Sequence, residues 1–580
     1  MKTADEIVAL VRSGQSLEGE KIADLDLRGR DLSGARMPDA KLGPLRLDGA
    51  DLHGSDLTRA HLMSCHLEKA NLEQANLTDA GLLMVSLAGA NLRGARLAGA
   101  RMLGVDLAGA DLTGADLRGA VLARASLAGA KLAGTDLTGA KLDSANLTGA
   151  DLSGALLTQT SLSRADASRV CLRGARIEES VFVGASLIGA DFTDATLDSV
   201  IFSRADLRGA TLPKGLSKTF FDDAVLTKLD LPEGDPRLNE PEGEGTLDFE
   251  GADLRYASLQ GVNLQGANLS GTKLELCNLS GCDLTGARFV GADMKRCILA
   301  NAVLRGVDLR GQDLEMTTFT EADLSGADLS AARLLLTALM RADLRGANLT
   351  RAAFSSAVLT GANLDGVVLD KSSWQGVDFD GNDLTRLRLS GLSMIRCSFV
   401  EAKMEGMDLT GCDFTGSDFS KAHLARTIFR YCLLKQANFK EARLEVADLT
   451  GATAKGAFFG EAVLKGAKLS NAMLRFATFS KADLAHANLA GCDLRESLMV
   501  EAQAQGALFH GARLHYSDFS HADVTGADFS SADLFTANLH NLHDSGAVWN
   551  GASLRAVKRT DIDRLEAEGW LPPESPGGRP

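Results

Sequence analysis

An apolar side chain recurs every fifth residue along nearly the whole chain, and no other feature restricts its folding so strongly. From Leu17 to Leu212 this marker holds for 40 successive positions, with Ala167 the weak member. A second run, in a new register, holds for 62 positions from Phe249 to Leu554, with Ala454, Ala504 and Asp544 as exceptions. Two residues before each marker stands a small residue, as Ala110 precedes Leu112. The residue between, such as Asp111, is polar, and the following pair often contains Gly. Apolar residues on either side of a polar one make a short strand with both facing inward, and the glycine-bearing pair makes a corner. A helix is excluded: period 5 matches neither 3.6 nor 3.5, and each corner glycine costs roughly 1 kcal/mol inside a helix.

The number of strands per turn is also written in the sequence. Phe379, Phe399, Phe419, Phe439, Phe459 and Phe479 lie 20 residues apart, which predicts four pentapeptides per coil and an internal aromatic column. The unit A(D/N)Lxx, as in ADLTG (110–114) and ANLSG (267–271), resembles the pentapeptide-repeat family. That resemblance implies an all-β, right-handed quadrilateral β-helix over about nine tenths of the chain. For function it implies a range, from DNA mimicry that protects topoisomerases to effectors and scaffolds.

Solenoid ends expose unpaired strand edges and need caps. Thr3-Ala4-Asp5-Glu6 has the form of a capping box that opens a helix running to about Ser13, and TDIDRLEAEGW (560–570) can form another. The organisation read from the sequence is a cap over 1–15, a first β-helix over 16–231, an acidic Pro-rich linker or extruded loop over 232–246, a second β-helix over 247–557, and a helix with a disordered tail over 558–580. The first register also jumps by four between Leu212 and Leu216. The N-terminal stretch LVRSGQSLEGEKIADLDLRGRDLSG is weakly similar to segments of repeat proteins linked to bacterial type VI secretion. Neither a secretion leader nor a membrane span is read from the sequence, so the expected location is cytoplasmic.

The sequence shows no phosphate loop, HExxH, nucleophile elbow or dinucleotide fingerprint, so no enzyme, cofactor or small-molecule substrate is expected. Of nine cysteines, Cys65, Cys277, Cys282, Cys297, Cys397, Cys412, Cys432 and Cys492 fall in the inward slot usually held by Ala, and Cys171 points outward. Small buried thiols explain them better than a metal centre. His510, His515, His521, His540 and His543 gather near the C-terminus on three faces, an arrangement not expected to converge on an ion. No metal site is therefore expected.

The net charge of -15 raises DNA mimicry, but it is spread thinly: -4 over residues 1–231, -4 over 232–246 and -7 over 247–580. Ten coils at roughly 4.8 Å span about 48 Å, where duplex DNA carries on the order of 28 charges. One row of the first array, Asp31, Asp51, Asp111, Asp151 and Asp191, is acidic, interrupted by Lys131, and is read as a solvated face. No direct nucleic-acid binding is expected.

A protein-docking surface is favoured instead. Sorted at period 20, the second array places Tyr256, Leu276, Met316, Leu335, Leu336, Ile395, Phe476, Tyr516 and Phe535 on one outward face, with Arg396 and Arg475 among the flanking cations. The first array has a similar face of Met63, Leu83, Met84, Leu103, Val121, Val181, Val183 and Ile201, beside Lys21, Lys41, Arg101 and Lys141. Aligned exposed apolar residues call for a covering surface, either a protein partner or a second copy of the chain.

Overall fold

The computed structural model describes residues 2–216, 218–226 and 247–570, and divides into two compact units, Met1–Val307 and Asp308–Pro580. The acidic segment expected over 232–246 and the tail from 571 onward lie outside the described residues.

One pentapeptide shows why this sequence coils. Asp111 N–H donates to Ala90 O at 2.9 Å in the coil before, and Leu112 N–H to Lys131 O at 2.7 Å in the coil after. Gly114 N–H reaches Ala133 O at 3.0 Å, and Ala115 N–H closes the corner on Leu112 O at 2.9 Å. The remaining donor, Thr113 N–H, is taken by Asp111 Oδ1 at 3.1 Å. All five N–H groups are thus satisfied within the repeat, as a buried backbone requires. Gly114 sits at φ 68°, a left-handed conformation in which a Cβ is disfavoured.

In both units parallel bridges join residues 20 apart, such as Asn91 with Asp111 and Asp413 with Leu433, so each coil holds four pentapeptides. Where two or three successive residues pair with the next coil, the ladder widens into sheets. In the first unit β1 (Lys21–Ile22), β3 (Lys41–Leu42), β5 (His61–Met63) and β7 (Gly81–Leu83) form one parallel sheet. A second comprises β2 (Leu25–Asp26), β4 (Leu45–Arg46) and β6 (Cys65–His66). A third comprises β8 (Leu156–Thr158), β9 (Arg176–Glu178) and β10 (Thr196–Asp198). In the second unit β11 (Arg333–Leu335), β12 (Ala353–Ser355), β13 (Ser373–Gln375) and β14 (Ser393–Ile395) stack in order. Gly43, beside β3, permits a close crossing: a Cβ there would lie 1.8 Å from Met63 O.

The interior is the predicted column. Successive rings from Phe379 to Phe479 stack at 4.8–5.3 Å with interplanar angles of 1–9°. Within the first unit the ladder runs across the change of register. Ile201 pairs with Phe220, Gly215 with Asp253 and Phe220 with Ser258, so coils on either side of the acidic segment are direct neighbours.

The first helix, α1 (Ala4–Arg12), carries both halves of the capping box. Glu6 N–H donates to the Thr3 hydroxyl, Thr3 N–H donates to the Glu6 carboxylate, and Ile7, Val8 and Val11 are buried. The last, α2 (Ile562–Glu568), buries no side chain.

Candidate interaction surfaces

The residues expected to form one outward face do not form a flat one. Tyr256, Leu276, Met316, Leu336, Arg396, Phe476 and Tyr516 occupy a corner, each with φ between 53° and 64°. Their spacing puts them at one angular position around the coil, but the two residues after each inward Leu make the turn, and side chains there project from an edge. Tyr256 and Leu276 belong to the first unit and the others to the second. A left-handed non-Gly residue costs roughly 1–2 kcal/mol, so large side chains at this corner are held there against local preference.

Within the second unit the residues separate into three groups. Leu335 and Ile395 lie half-buried at the two ends of the β11–β14 sheet, whose centre presents the smaller Ala353, Ser355 and Ser373. Met316 and Leu336 are exposed beside the first end, and Arg396 beside the second. Phe476 is flanked by cations, the Arg475 guanidinium 4.6 Å and the Lys455 ammonium 5.6 Å from its ring centre. Arg475 also pairs with Glu496 at 2.5 Å. Tyr516 meets Phe535 edge to face at 5.9 Å, and Arg555 lies 5.9 Å from the Phe535 ring. Ala332 and Leu334 fill the inward slots beside Leu335, which leaves it facing out. Exposed apolar residues also stand on other columns, among them Phe458, Leu498, Leu508 and Val548.

The contiguous patch lies in the first unit. Met63 and Leu83 are register partners in β5 and β7. Met63, Leu83 and Leu103 are 54%, 51% and 54% exposed, and Met84 beside them 71%. With His61, Arg101 and Val121, the side chains of Met63, Leu83 and Leu103 line a shallow groove, and Lys21 and Lys41 continue the same sheet in register. The sequence named these residues, His61 excepted, but ranked them second; adjacency on consecutive coils is the signal that distinguishes them.

The acidic row has a structural explanation. Asp31, Asp51, Asp111, Asp151 and Asp191 each accept the N–H two residues on, at 2.9–3.1 Å. Hydrogen bonds from Ser33 hold the Asp31 carboxyl below its usual range, and the Arg118 guanidinium does the same for Asp116. The eight inward cysteines are buried and Cys171 is half-buried. Burial pushes the Cys282, Cys397 and Cys492 thiols up to about 12, which leaves them protonated at neutral pH.

Two of the five C-terminal histidines lie together. His521 and His540 share one corner on consecutive coils, their ring centres 5.4 Å apart, and both meet Glu568 of α2. Sequence reasoning missed this because the carboxylate comes from outside the repeat.

A solenoid of parallel pentapeptide coils with capping segments defines the structural class. The pentapeptide-repeat profile matches sixteen segments, five within 46–212 and eleven within 247–543. The chain belongs to the pentapeptide-repeat family. No curated protein sequence matches it significantly. Among solved structures it is similar to HetL of Nostoc sp. strain PCC 7120, a pentapeptide repeat protein involved in heterocyst differentiation regulation. The identity is 24%, over 52% of this chain and 98% of that one, with a TM-score of 0.18. It is also similar to QnrB1, a plasmid-mediated fluoroquinolone resistance protein, at 26% identity over 34% of this chain and 97% of that one, TM-score 0.20. A pentapeptide repeat protein of the Arabidopsis thaliana thylakoid lumen is 33% identical over 22% of this chain and 68% of that one, TM-score 0.10. Among the described residues no helix is long and apolar enough to cross a membrane.

Proposed function

We propose that the chain is a non-catalytic cytoplasmic scaffold that docks a protein partner on the apolar and basic patch of the first unit. The observation that carries this is the run of Met63, Leu83 and Leu103 on consecutive coils, each more than half exposed beside Arg101. Covering a large apolar side chain contributes about 1.5–3 kcal/mol, and a few anchors dominate such contacts. The flanking cations favour a partner with an acidic rim. In the second unit, Phe476, Tyr516 and Phe535 with Arg396 and Arg475 supply a further contact surface on the same reading.

Direct nucleic-acid binding is not part of the proposal. The second reading, mimicry of DNA for a type II topoisomerase, has the acidic row in its favour. Against it, those carboxylates are engaged by their own turns. The test is affinity capture from native cells with intact protein and with Leu83→Ser/Leu103→Ser. A partner lost with the double variant supports docking on this patch, and secretion-apparatus components among the partners would support the N-terminal resemblance. Capture of a topoisomerase unaffected by the variant would favour mimicry, and self-association lost with it would identify a second copy as the occupant.

A further inference from the structure

The helix α2 poses a question of attachment: it is seven residues long, buries nothing, and leaves Ile562 exposed. Apolar burial does not hold it against the last coils. Its contacts are polar. Glu568 Oε2 lies 3.0 Å from His521 Nε2 and 3.3 Å from His540 Nε2, while the N–H of its capping residue Asp561 donates to His540 Nδ1 at 3.2 Å. The two ring nitrogens and the carboxylate oxygen all lie within 4.8 Å of one another, and the His540 side chain is almost fully buried.

We infer that His521, His540 and Glu568 bind a divalent cation of the zinc class and that this ion fastens α2 to the end of the solenoid. Two imidazoles and a carboxylate are a donor set that suits zinc and its late first-row neighbours. With bonds of about 2.0–2.1 Å, tetrahedral ligands sit roughly 3.3 Å apart, close to the two Glu568 distances. His521 is partly exposed at its corner, and metal binding requires its ring to rotate to close the remaining separation. An outer partner steadies the carboxylate: Arg564 Nε holds Glu568 Oε1 at 2.7 Å, which leaves Oε2 for the metal. The Asn541 amide nitrogen, 3.0 Å from His521 Nδ1, can only donate there, so metal on Nε2 requires that amide to turn its oxygen to the ring. Three protein ligands leave a fourth position to water.

Proton bookkeeping makes metal loading and helix seating interdependent. A backbone N–H can only donate, so Asp561 makes His540 Nδ1 an acceptor and puts the neutral ring's proton on Nε2, facing Glu568. When the ion takes the Nε2 lone pair, that proton moves to Nδ1 and the Asp561 contact is released. Metal therefore replaces one tie to α2 with a stronger one.

The experiment uses full-length, tag-free, chelator-treated protein titrated with zinc by calorimetry and with cobalt by visible spectroscopy, which reports tetrahedral coordination. One equivalent of zinc should bind, and the cobalt complex should show tetrahedral bands. Glu568→Gln and His521→Ala, both at accessible positions, should each weaken binding at least tenfold without altering the solenoid's circular dichroism. The buried His540 is left intact because its removal could disturb the last coil. Absence of saturable binding, or an affinity unchanged in both variants, would overturn the proposal. So would a helix released by Glu568→Gln in protein that binds no metal, because hydrogen bonds alone would then account for the clasp.

Discussion

Asn91 and Asp111 are bridge partners on adjacent coils, and each accepts the backbone N–H two residues on: Arg93 N–H at 3.2 Å and Thr113 N–H at 3.1 Å. The shared task, not negative charge, explains why the position is held by either residue. The same amide bonding recurs at Asn71, which accepts Glu73 N–H at 3.3 Å.

This equivalence gives the first prediction. Replacing Asp31, Asp51, Asp111, Asp151 and Asp191 together by Asn should preserve folding, because the amide oxygen still accepts the turn N–H. Replacement by Ala should cost about 0.5–1.5 kcal/mol at each position, several kcal/mol in total. Chemical denaturation of the two quintuple variants measures the difference. Equal stability would show that the turn bond contributes nothing.

Acid should weaken the molecule, and the sign follows from the same carboxylates. Arg28 holds Asp26 down at about 2, hydrogen bonds from Ser33, Thr410 and Ser530 lower Asp31, Asp408 and Asp528, and Arg310 lowers Asp308. A folded-state value below the unfolded one stabilises fully above the unfolded value, near 4, and is lost as pH falls through the folded value. Stability should therefore change little through these groups between pH 7 and about 5, then decline from about pH 4 towards 2. Urea midpoints across that range test it; a midpoint that rises below pH 4 would contradict the assignment.

Gly215 pairs with Asp253, 38 residues on, whereas the regular offset is 20. Removal of 18 residues restores that offset, and deletion of residues 229–246 also brings Phe249 five positions after Leu226, in the marker register. The deletion variant should fold and melt within a few degrees of the parent. Loss of cooperative melting would mean that the segment is required for the coils beside it.

The coil was legible because its determinants are local: inward Ala and Leu, a turn-binding Asp or Asn, and a left-handed corner repeat every five residues. Thr3 and Glu6 were legible for the same reason, since a capping box spans four residues. That the column containing Phe476 and Tyr516 is a corner was not legible, because period 20 fixes the angular position of a side chain without separating strand from turn. The meeting of His521 with His540 and Glu568 was out of reach, because it depends on where a non-repeating helix comes to rest. The continuity from Gly215 to Asp253 was hidden by a change of register that the ladder absorbs.

Phe419 and Phe476 offer the sharpest test of which aromatic residues are core. Phe419 is fully buried, stacked on Phe399 at 4.8 Å and Phe439 at 4.9 Å, and met edge-on by Phe414 at 5.1 Å. Phe419→Ala empties a site that close-packed coils above and below cannot collapse into, and should cost about 3–5 kcal/mol. The aromatic pairs it breaks are worth about 0.5–1.5 kcal/mol each within that loss. Phe476 is 41% exposed, and its contacts with Arg475 and Lys455 face solvent, where such pairs contribute about 0.5–1 kcal/mol. Relief of its left-handed backbone works in the opposite direction if glycine replaces it. Phe476→Gly should therefore change stability by no more than about 1 kcal/mol, since Gly accepts φ 64° without strain. Parallel urea denaturation of the two variants decides the matter: similar large losses would place Phe476 in the core and remove it from any docking surface.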